Sequence, residues 1–309
     1  MKLIREYRRE ENTVVTVGTF DGVHRGHRVL IDLLCERARL LNARSVVVTF
    51  DPHPREIIHS NDEGIRLLTT LSERYELLRE IGVDEMVVIP FDRDFSLLSS
   101  EDFLRTCIWD RIGVREFVIG YDHQFGKDRK GTISTVQRVS QELGFSVRVV
   151  SRQDVGSQAV SSTRIREALR DSGDVSLACK LLGRPYRLHG RVIHGDKRGR
   201  NIGFPTANIE AESDRKLIPA NGVYAVRVDV DGVIHGGMMN IGTRPTFSGQ
   251  GKRMEVHLFE FSENIYGEKV QIRFCDRIRD ERLFPGPDAL KEQLEKDKTE
   301  VLHRLELKE

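Results

Sequence analysis

The sequence predicts an α/β domain built on a parallel sheet, followed by a small antiparallel β-barrel with C-terminal helices. Three observations predict it. From about residue 13 to residue 151, short β-branched apolar runs alternate with helix-spaced apolar patterns, which is how a parallel sheet covered by helices on both faces reads. The alternation stops at Gly183-Arg184-Pro185, a Gly/Pro punctuation that ends helices. Beyond it, apolar residues recur at every second position between turn signals, as in short antiparallel strands. At 309 residues the chain is long for one core, and two domains, 1–183 and 184–309, are expected.

The first element is an apolar run, Val14, Val15 and Val17, suited to a buried strand. It turns through Gly18-Thr19-Phe20-Asp21-Gly22 into a helix expected over His24–Asn42, with Val29, Leu30, Leu33, Leu34, Ala38 and Leu41 at helix-face spacing. That spacing places His24 and His27 in the first helical turn, where backbone N–H groups lack partners and the dipole favours an anion. Gly26 between them leaves the backbone open to close approach. Two imidazoles at such a terminus suit a phosphate that gains negative charge as it is attacked.

Further strands are expected at Ser45–Phe50, Glu85–Pro90, Arg115–Gly120 and Phe145–Ser151, and helices at Ser72–Ile81, Ser100–Arg111 and Ser134–Leu143. Ser72 and Ser100 read as N-caps. Ligands of a parallel sheet bind beyond the carboxyl ends of its strands, and the polar segments of this chain gather there. Phe50-Asp51-Pro52-His53-Pro54 holds His53 in a proline-stiffened loop. Residues 120–131 form a glycine-punctuated loop with Asp122, His123, Phe125 and the cations Lys127, Arg129 and Lys130. Val160-Ser161-Ser162-Thr163-Arg164-Ile165-Arg166 then opens another helix, with Ser162 or Thr163 as cap and Arg166 on the first turn, and guanidinium forks match phosphate oxygens. A helical tail, Asp174–Leu182, completes the domain.

In the second domain, strands are expected at Tyr186–His194, Gly222–Val230, Val233–Ile241, Arg253–Phe261 and Lys269–Cys275, with Asp231-Gly232 as a tight hairpin turn. Five to six short strands suggest a small closed barrel; helices Asp288–Asp297 and Glu300–Leu307 follow. The loop from His194 to Asn208 carries Gly195, Lys197, Gly199 and Gly203 before Phe204-Pro205-Thr206-Ala207-Asn208. Its glycines let backbone N–H groups wrap a polyphosphate, although it lacks the Walker spacing. In Met254-Glu255-Val256-His257-Leu258, strand alternation points Glu255 and His257 the same way. On an open sheet that is a solvated face; inside a small barrel mouth, a carboxylate facing a bound alcohol serves as general base.

Composition narrows the partners. With 39% hydrophobic and 31% charged residues the chain reads as soluble and globular. The net charge of +1, with 22 Lys+Arg against 20 Asp+Glu after Gly183 and 27 against 28 before it, argues against nucleic-acid binding and for small anions met by local basic loops. No apolar run reaches the length of a membrane span and the N-terminus has no apolar core, so a cytoplasmic location is expected. Cys35, Cys107, Cys179 and Cys275 form no CxxC pair and read as free thiols. Oligomeric state is not legible.

The stretch GTFDGVHRGH (18–27) resembles the signature loop of the nucleotidyltransferase superfamily. Together with the segment at 161–166, PTAN (205–208), NIGTRPTF (240–247) and IRDERLF (278–284), the chain resembles the bacterial bifunctional riboflavin kinase/FAD synthetase family over nearly its whole length. The resemblance implies a Rossmann-like adenylyltransferase domain and a riboflavin kinase barrel, using ATP and Mg²⁺ to make FMN and then FAD. It implies nucleotide or flavin contacts at Gly18, Thr19, Phe20, His53, Asp122 and Phe125, and ATP-phosphate contacts at Ser162, Thr163 and Arg166. His123 departs from the family pattern, which commonly has Phe there. In the barrel it implies Mg²⁺ at Thr206 with Asn208 beside it, Glu255 as the base for the riboflavin 5′-hydroxyl, and a flavin-covering flap that includes Arg279 and Glu281.

Overall fold

The computed structural model describes residues 1–4, 9–58, 64–121, 124–127, 131–150, 154–155, 158–195, 203–246 and 249–306. The chain divides into two compact units, Met1–Ser161 and Ser162–Glu309.

The first unit holds β1 (Lys2–Ile4), β2 (Thr13–Val17), α1 (Arg25–Leu40), β3 (Arg44–Asp51), α2 (Pro54–Ile58), α3 (Leu71–Ile81), β4 (Glu85–Pro90) and α4 (Arg93–Ser96). After these come α5 (Ser100–Asp102), which continues as a π-helix over Phe103–Ile112, then β5 (Glu116–Gly120), α6 (Ile133–Leu143) and β6 (Ser146–Val150). The short pair β7 (Asp154–Val155) and β8 (Gln158–Ala159) closes the unit. The six-stranded sheet has the order β1-β4-β3-β2-β5-β6 and every pairing is parallel. The β2 run serves both faces: Val15 and Val17 pack with Phe103, Leu104, Ile108 and Val136, whereas Val14 packs with Ile31, Leu34 and Leu78. From β2 the order runs outward through β3 on one side and resumes at β5 on the other. The carboxyl ends of β2 and β5 therefore flank a topological switch point, where open α/β sheets take their ligands.

Several expected boundaries move. Helix α3 is capped by Thr70, not Ser72: Thr70 Oγ1 accepts from Glu73 N at 3.2 Å while the Glu73 carboxylate accepts from Thr70 N at 2.9 Å, a reciprocal pair that a lone serine lacks. Ser99, one residue before the expected Ser100, caps α5 through the Asp102 N–H. Strand β1 lies in a charged terminus with no strand pattern of its own; it forms because Lys2, Leu3 and Ile4 pair with Glu85, Met86 and Val87 of β4.

The second unit begins with α7 (Ser162–Glu167), a π-helical stretch Ala168–Ser172 and α8 (Val175–Leu182). Strands β9 (Tyr186–Ile193), β10 (Ala207–Ala211), β11 (Gly222–Val230), β12 (Val233–Thr246), β13 (Gly249–Leu258) and β14 (Lys269–Arg279) form a closed antiparallel barrel in the order β10-β13-β12-β11-β14-β9. Its interior takes Tyr186, Leu188, Tyr224, Val226, Met239, Ile241, Val256, Ile272 and Phe274, each at most 2% exposed. Strand β10, absent from the sequence reading, has only Ile209 as a large apolar residue, and pairing with both β13 and β9 supplies what its pattern does not. A single helix, α9 (Pro287–Glu306), replaces the two expected. Nothing at Lys298-Thr299 interrupts it, and Thr299 Oγ1 bonds back to the Glu295 carbonyl at 3.0 Å. Val301 and Leu305 of α9 cover Val223, Ala225 and Met238 on the outer face of the barrel.

Candidate functional site

At the switch point, β2 runs out at Val17 and the chain is held close to β3: Gly18 N donates to the Val48 carbonyl at 3.0 Å, and Thr49 Oγ1 to the Thr19 carbonyl at 3.2 Å. Phe20, only 3% exposed, turns at a φ of 46°. Asp21 is fully buried, and its carboxylate accepts from Leu68 N at 3.0 Å, Thr69 N at 2.8 Å and Thr69 Oγ1 at 3.1 Å. The Thr69 hydroxyl in turn accepts from Gly22 N at 2.9 Å. These bonds fasten the loop after β2 to the segment that starts α3.

His24 is the N-cap of α1 and stands outside its first turn. Its Nδ1 accepts from His27 N at 3.2 Å, so the ring carries its proton on Nε2 and presents that N–H as a donor. The His24 and His27 rings stack with centroids 3.6 Å apart and planes 14° off parallel, and Phe20 meets His27 edge-on at 5.2 Å. A Cβ on Gly26 would sit 3.3 Å from the His24 ring, so the glycine lets this imidazole fold back over the helix start. The motif thus yields two stacked imidazoles at a helix N-terminus, beyond the end of a central strand.

His53, 8% exposed, follows β3; its Nδ1 accepts from Arg55 N at 3.2 Å and its carbonyl from Glu56 N at 2.8 Å. Phe125, beyond β5, packs edge-on against Phe103 at 5.9 Å, at one end of a run of rings through Phe95, Phe50 and Phe91. Phe125 and Gly131 exchange backbone hydrogen bonds of 3.2 and 2.9 Å, which closes the loop expected to bear the nucleotide. Asp122 and His123 lie outside the described residues. Ser162 and Thr163 open α7 and Arg166 lies 8% exposed on it; all three belong to the second compact unit.

In the barrel, cross-strand register does the assembling. Asn208 of β10 stands opposite Glu255 of β13, Glu255 opposite Asn240 of β12, Asn240 opposite Val223 of β11, and Val223 opposite Arg279 of β14. Directly opposed residues share a face, so three residues singled out from sequence, Asn208, Glu255 and Arg279, fall in one transverse row. The face is the outer one. Met254, Val256 and Leu258 are buried at 5%, 1% and 6% and fill the interior, so Glu255 and His257 point away from it; the expectation of a base inside the barrel mouth is corrected. Among those apolar side chains a carboxylate would lose its hydration.

Arg253, two residues before Glu255 on the same face, donates from Nη2 to Glu255 Oε1 at 2.6 Å and from Nε to Asn208 Oδ1 at 3.2 Å. A Cβ on Gly195 would lie 1.9 Å from Asn208 Nδ2, so only glycine lets the start of the basic loop pass this side chain. The Nδ1–H of His257 donates to the Pro205 carbonyl at 2.7 Å, and its ring meets Phe204 at 5.1 Å. Burial pushes this imidazole below its ordinary value, in keeping with a neutral ring. Phe204, 4% exposed, and Pro205 are thereby seated, which fixes the approach to Thr206, two residues before Asn208. Gly203 precedes them, while Lys197 and Gly199 lie outside the described residues. Arg279 is held to α9, with Nε 3.0 and 2.9 Å from the two Asp297 oxygens and Nη2 2.6 Å from Oδ2. Glu281 accepts from Asn221 Nδ2 at 3.3 Å.

Sequence reasoning did not select Arg253 or Asp297, and it took Asn240 only as the first residue of the NIGTRPTF segment. The period-two rule that paired Glu255 with His257 also places Arg253 on that face and was the available signal. Asn240 needed the strand register, and Asp297 needed the path of α9.

Comparison with known proteins adds an independent view. A family model for FAD synthetase matches residues 6–164 and one for riboflavin kinase matches residues 182–305. A Haemophilus influenzae protein described as a bifunctional riboflavin kinase/FMN adenylyltransferase is 42% identical over 288 residues, 93% of this chain and 92% of the relative. An Escherichia coli K12 protein of the same description is 39% identical over 303 residues, 96% of each. A crystal structure from Streptococcus pneumoniae, described as a macrolide-efflux protein, matches with a TM-score of 0.87 and 34% identity, covering 96% of this chain and 97% of that one. Among the described residues, no helix of this chain is long and apolar enough to cross a membrane.

Proposed function

The chain belongs to the bifunctional riboflavin kinase/FMN adenylyltransferase family, and from that premise we propose how its own residues divide the two reactions. It phosphorylates riboflavin to FMN and adenylylates FMN to FAD, with ATP as the donor in both steps. Functionally we assign residues 1–183 to adenylyl transfer and 184–309 to the kinase. Ser162, Thr163 and Arg166 then serve the first reaction although α7 folds with the second unit.

In the kinase reaction, the Glu255 carboxylate takes the proton of the riboflavin 5′-hydroxyl as that oxygen attacks the γ-phosphorus of ATP; the bond to the β-phosphate oxygen breaks and ADP leaves. Thr206 and Asn208 would hold Mg²⁺. Both offer neutral oxygens two residues apart in the chain, and the Asn208 amide packs against Gly195, whose missing Cβ is what admits it there; two hard oxygens plus nucleotide phosphates suit this ion. When bound, it neutralises charge on the β- and γ-phosphate oxygens. Gly195, Lys197, Gly199, Gly203, Phe204 and Pro205 are assigned to phosphate binding, and Arg279 and Glu281 to the segment that covers the flavin.

In adenylyl transfer, an FMN phosphate oxygen attacks the α-phosphorus of ATP and pyrophosphate departs. His24, through Nε2–H, and His27 hold the charge that develops on the α-phosphate. Ser162, Thr163 and Arg166 bind the departing phosphates, while Gly18, Thr19, Phe20, His53, Asp122 and Phe125 are assigned to nucleotide and flavin contacts. Four free cysteines and the use of ATP fit a cytoplasmic location.

The observation that carries this division is the separation of the two clusters, the His24–His27 pair in one compact unit and the Asn208–Glu255 row in the other. Incubation with riboflavin, ATP and Mg²⁺, followed by chromatography, tests it. His24→Ala is expected to abolish FAD formation and spare FMN formation; Glu255→Ala and Thr206→Ala are expected to block FMN formation and still convert supplied FMN to FAD. Loss of both activities in any one folded variant would refute the two-site division.

A further inference from the structure

Resting on the reading of Glu255 as the kinase base and Asn208 as a nucleotide-side ligand, we infer that Arg253 is the positioning residue that fixes one against the other. A single guanidinium reaches both: Nη2 lies 2.6 Å from Glu255 Oε1 and Nε lies 3.2 Å from Asn208 Oδ1. Asn208 and Glu255 are direct cross-strand partners, so their Cβ atoms stand about 4.5–5.5 Å apart. Arg253 projects from the next same-face position of β13, diagonal to Asn208. The three side chains form a triangle whose corners come from two strands and whose closure depends on the planar fork.

The chemistry gives that triangle a purpose. In-line phosphoryl transfer needs the acceptor oxygen placed against the γ-phosphorus, and little else from the protein. The acceptor side is set by the carboxylate that takes the hydroxyl proton; the donor side is set by the groups that hold the phosphates and their metal. Carboxylates swing about their Cβ–Cγ and Cγ–Cδ bonds, and Glu255, with 22% of its side chain exposed, is not confined by packing alone. A fork bonded to both sides removes that freedom without entering the reaction. Lysine has the charge but only a point donor on a flexible stem, so it reaches one partner well or two poorly. Arg253 itself keeps 27% of its side chain exposed, which makes it a weak contributor to stability and separates its role from that of a core ion pair.

The test uses the full chain with four variants: Arg253→Met, Arg253→Lys, Glu255→Gln and the double variant Arg253→Met/Glu255→Gln. Riboflavin phosphorylation is measured as separate kcat and KM values for riboflavin and ATP, and conversion of supplied FMN to FAD reports that the protein is folded. Arg253→Met is expected to lower the kinase kcat by about 10- to 100-fold, the scale of a misplaced reacting group, with both KM values within about threefold of the parent. Arg253→Lys is expected to fall between. In the Glu255→Gln background, Arg253→Met is expected to cost no further activity, because a residue that acts through Glu255 has nothing left to orient. An Arg253→Met enzyme with parental kcat, a loss confined to KM, or losses that multiply in the double variant would each overturn the inference. Full activity in Glu255→Gln would instead overturn the assignment of the base; a low kcat for Arg253→Met would then identify an Arg253 role independent of it and overturn the positioning model as well.

Discussion

Asp21→Ala probes how the proposed adenylylation site is held in place. Asp21 is fully buried, and its carboxylate accepts from two backbone N–H groups and a hydroxyl at 2.8–3.1 Å. Hydrogen bonds to a charged group contribute about 1.5–3 kcal/mol each, and a buried donor left without its acceptor costs about 1–3 kcal/mol. Truncation strips Leu68 N and Thr69 N of this acceptor, while the Thr69 hydroxyl rotates to another, so a loss of about 3–5 kcal/mol is expected. For a unit of this size each kcal/mol moves Tm by about 2–4 °C, and a loss near 4 kcal/mol lowers the first transition by about 8–16 °C. The same bonds fix the loop that delivers His24, since Thr69 Oγ1 also receives Gly22 N at 2.9 Å. Conversion of FMN to FAD, assayed well below the new Tm, is therefore expected to fall by about 10- to 100-fold, with riboflavin phosphorylation unchanged. Thermal unfolding followed by circular dichroism and chromatography of the two products provide the readouts. A Tm within about 2 °C of the parent, with FAD formation intact, would refute the claim that this carboxylate anchors the loop.

Gly195→Ala places a Cβ where Asn208 Nδ2 now sits 1.9 Å away, so the amide must move; FMN formation is expected to drop about 100-fold while FMN adenylylation persists, and equal kinase rates would show that the loop can yield. Glu116 supplies the pH test. Burial alone would push its carboxyl up, but the bidentate bond from Arg37, the Ser146 hydroxyl and the charges of Arg37 and Arg148 outweigh it and hold it below its ordinary value near 4.5. The unfolded chain then takes up this proton at higher pH than the folded one, so the contribution is complete above about 4.5 and is lost as pH falls through the folded value. In unfolding curves across that range, the stability difference between the parent and Glu116→Gln is expected to shrink with acidity; a constant difference would rule out the linkage.

What was legible in the sequence is what local chain chemistry decides. The Val14–Val17 run, the GTFDG turn and the helix after it form one contiguous signal, and the stacked His24–His27 pair follows from it almost without tertiary information. Even there His24 stands just outside the helix expected to begin with it, because its side chain performs the capping that serine or aspartate usually does. Elements that depend on a partner were hidden. The Lys2–Ile4 strand is three residues in a charged terminus and exists through pairing with β4, and Ala207–Ala211 has Ile209 as its one large apolar residue and exists through its two neighbours.

The proposed kinase site illustrates the same limit at the level of chemistry. Alternation along β13 establishes that Arg253, Glu255 and His257 share a face, but period two cannot say whether that face is the lumen or the outside. The answer lies in a competition between neighbours: Met254, Val256 and Leu258 are larger in apolar area than the polar set, and the lumen already holds Tyr186, Tyr224 and Phe274, so burying a carboxylate and a guanidinium there would forfeit their hydration without comparable return. The base proposed on the outward face needs shelter from bulk water, and α9 and the Phe204–Pro205 segment lie on that side, joined to it through Met238, His257 and Asp297. The C-terminal helix, which reads in sequence as an appendage after the barrel, therefore belongs to the surroundings of the site proposed on the outer wall of the closed barrel.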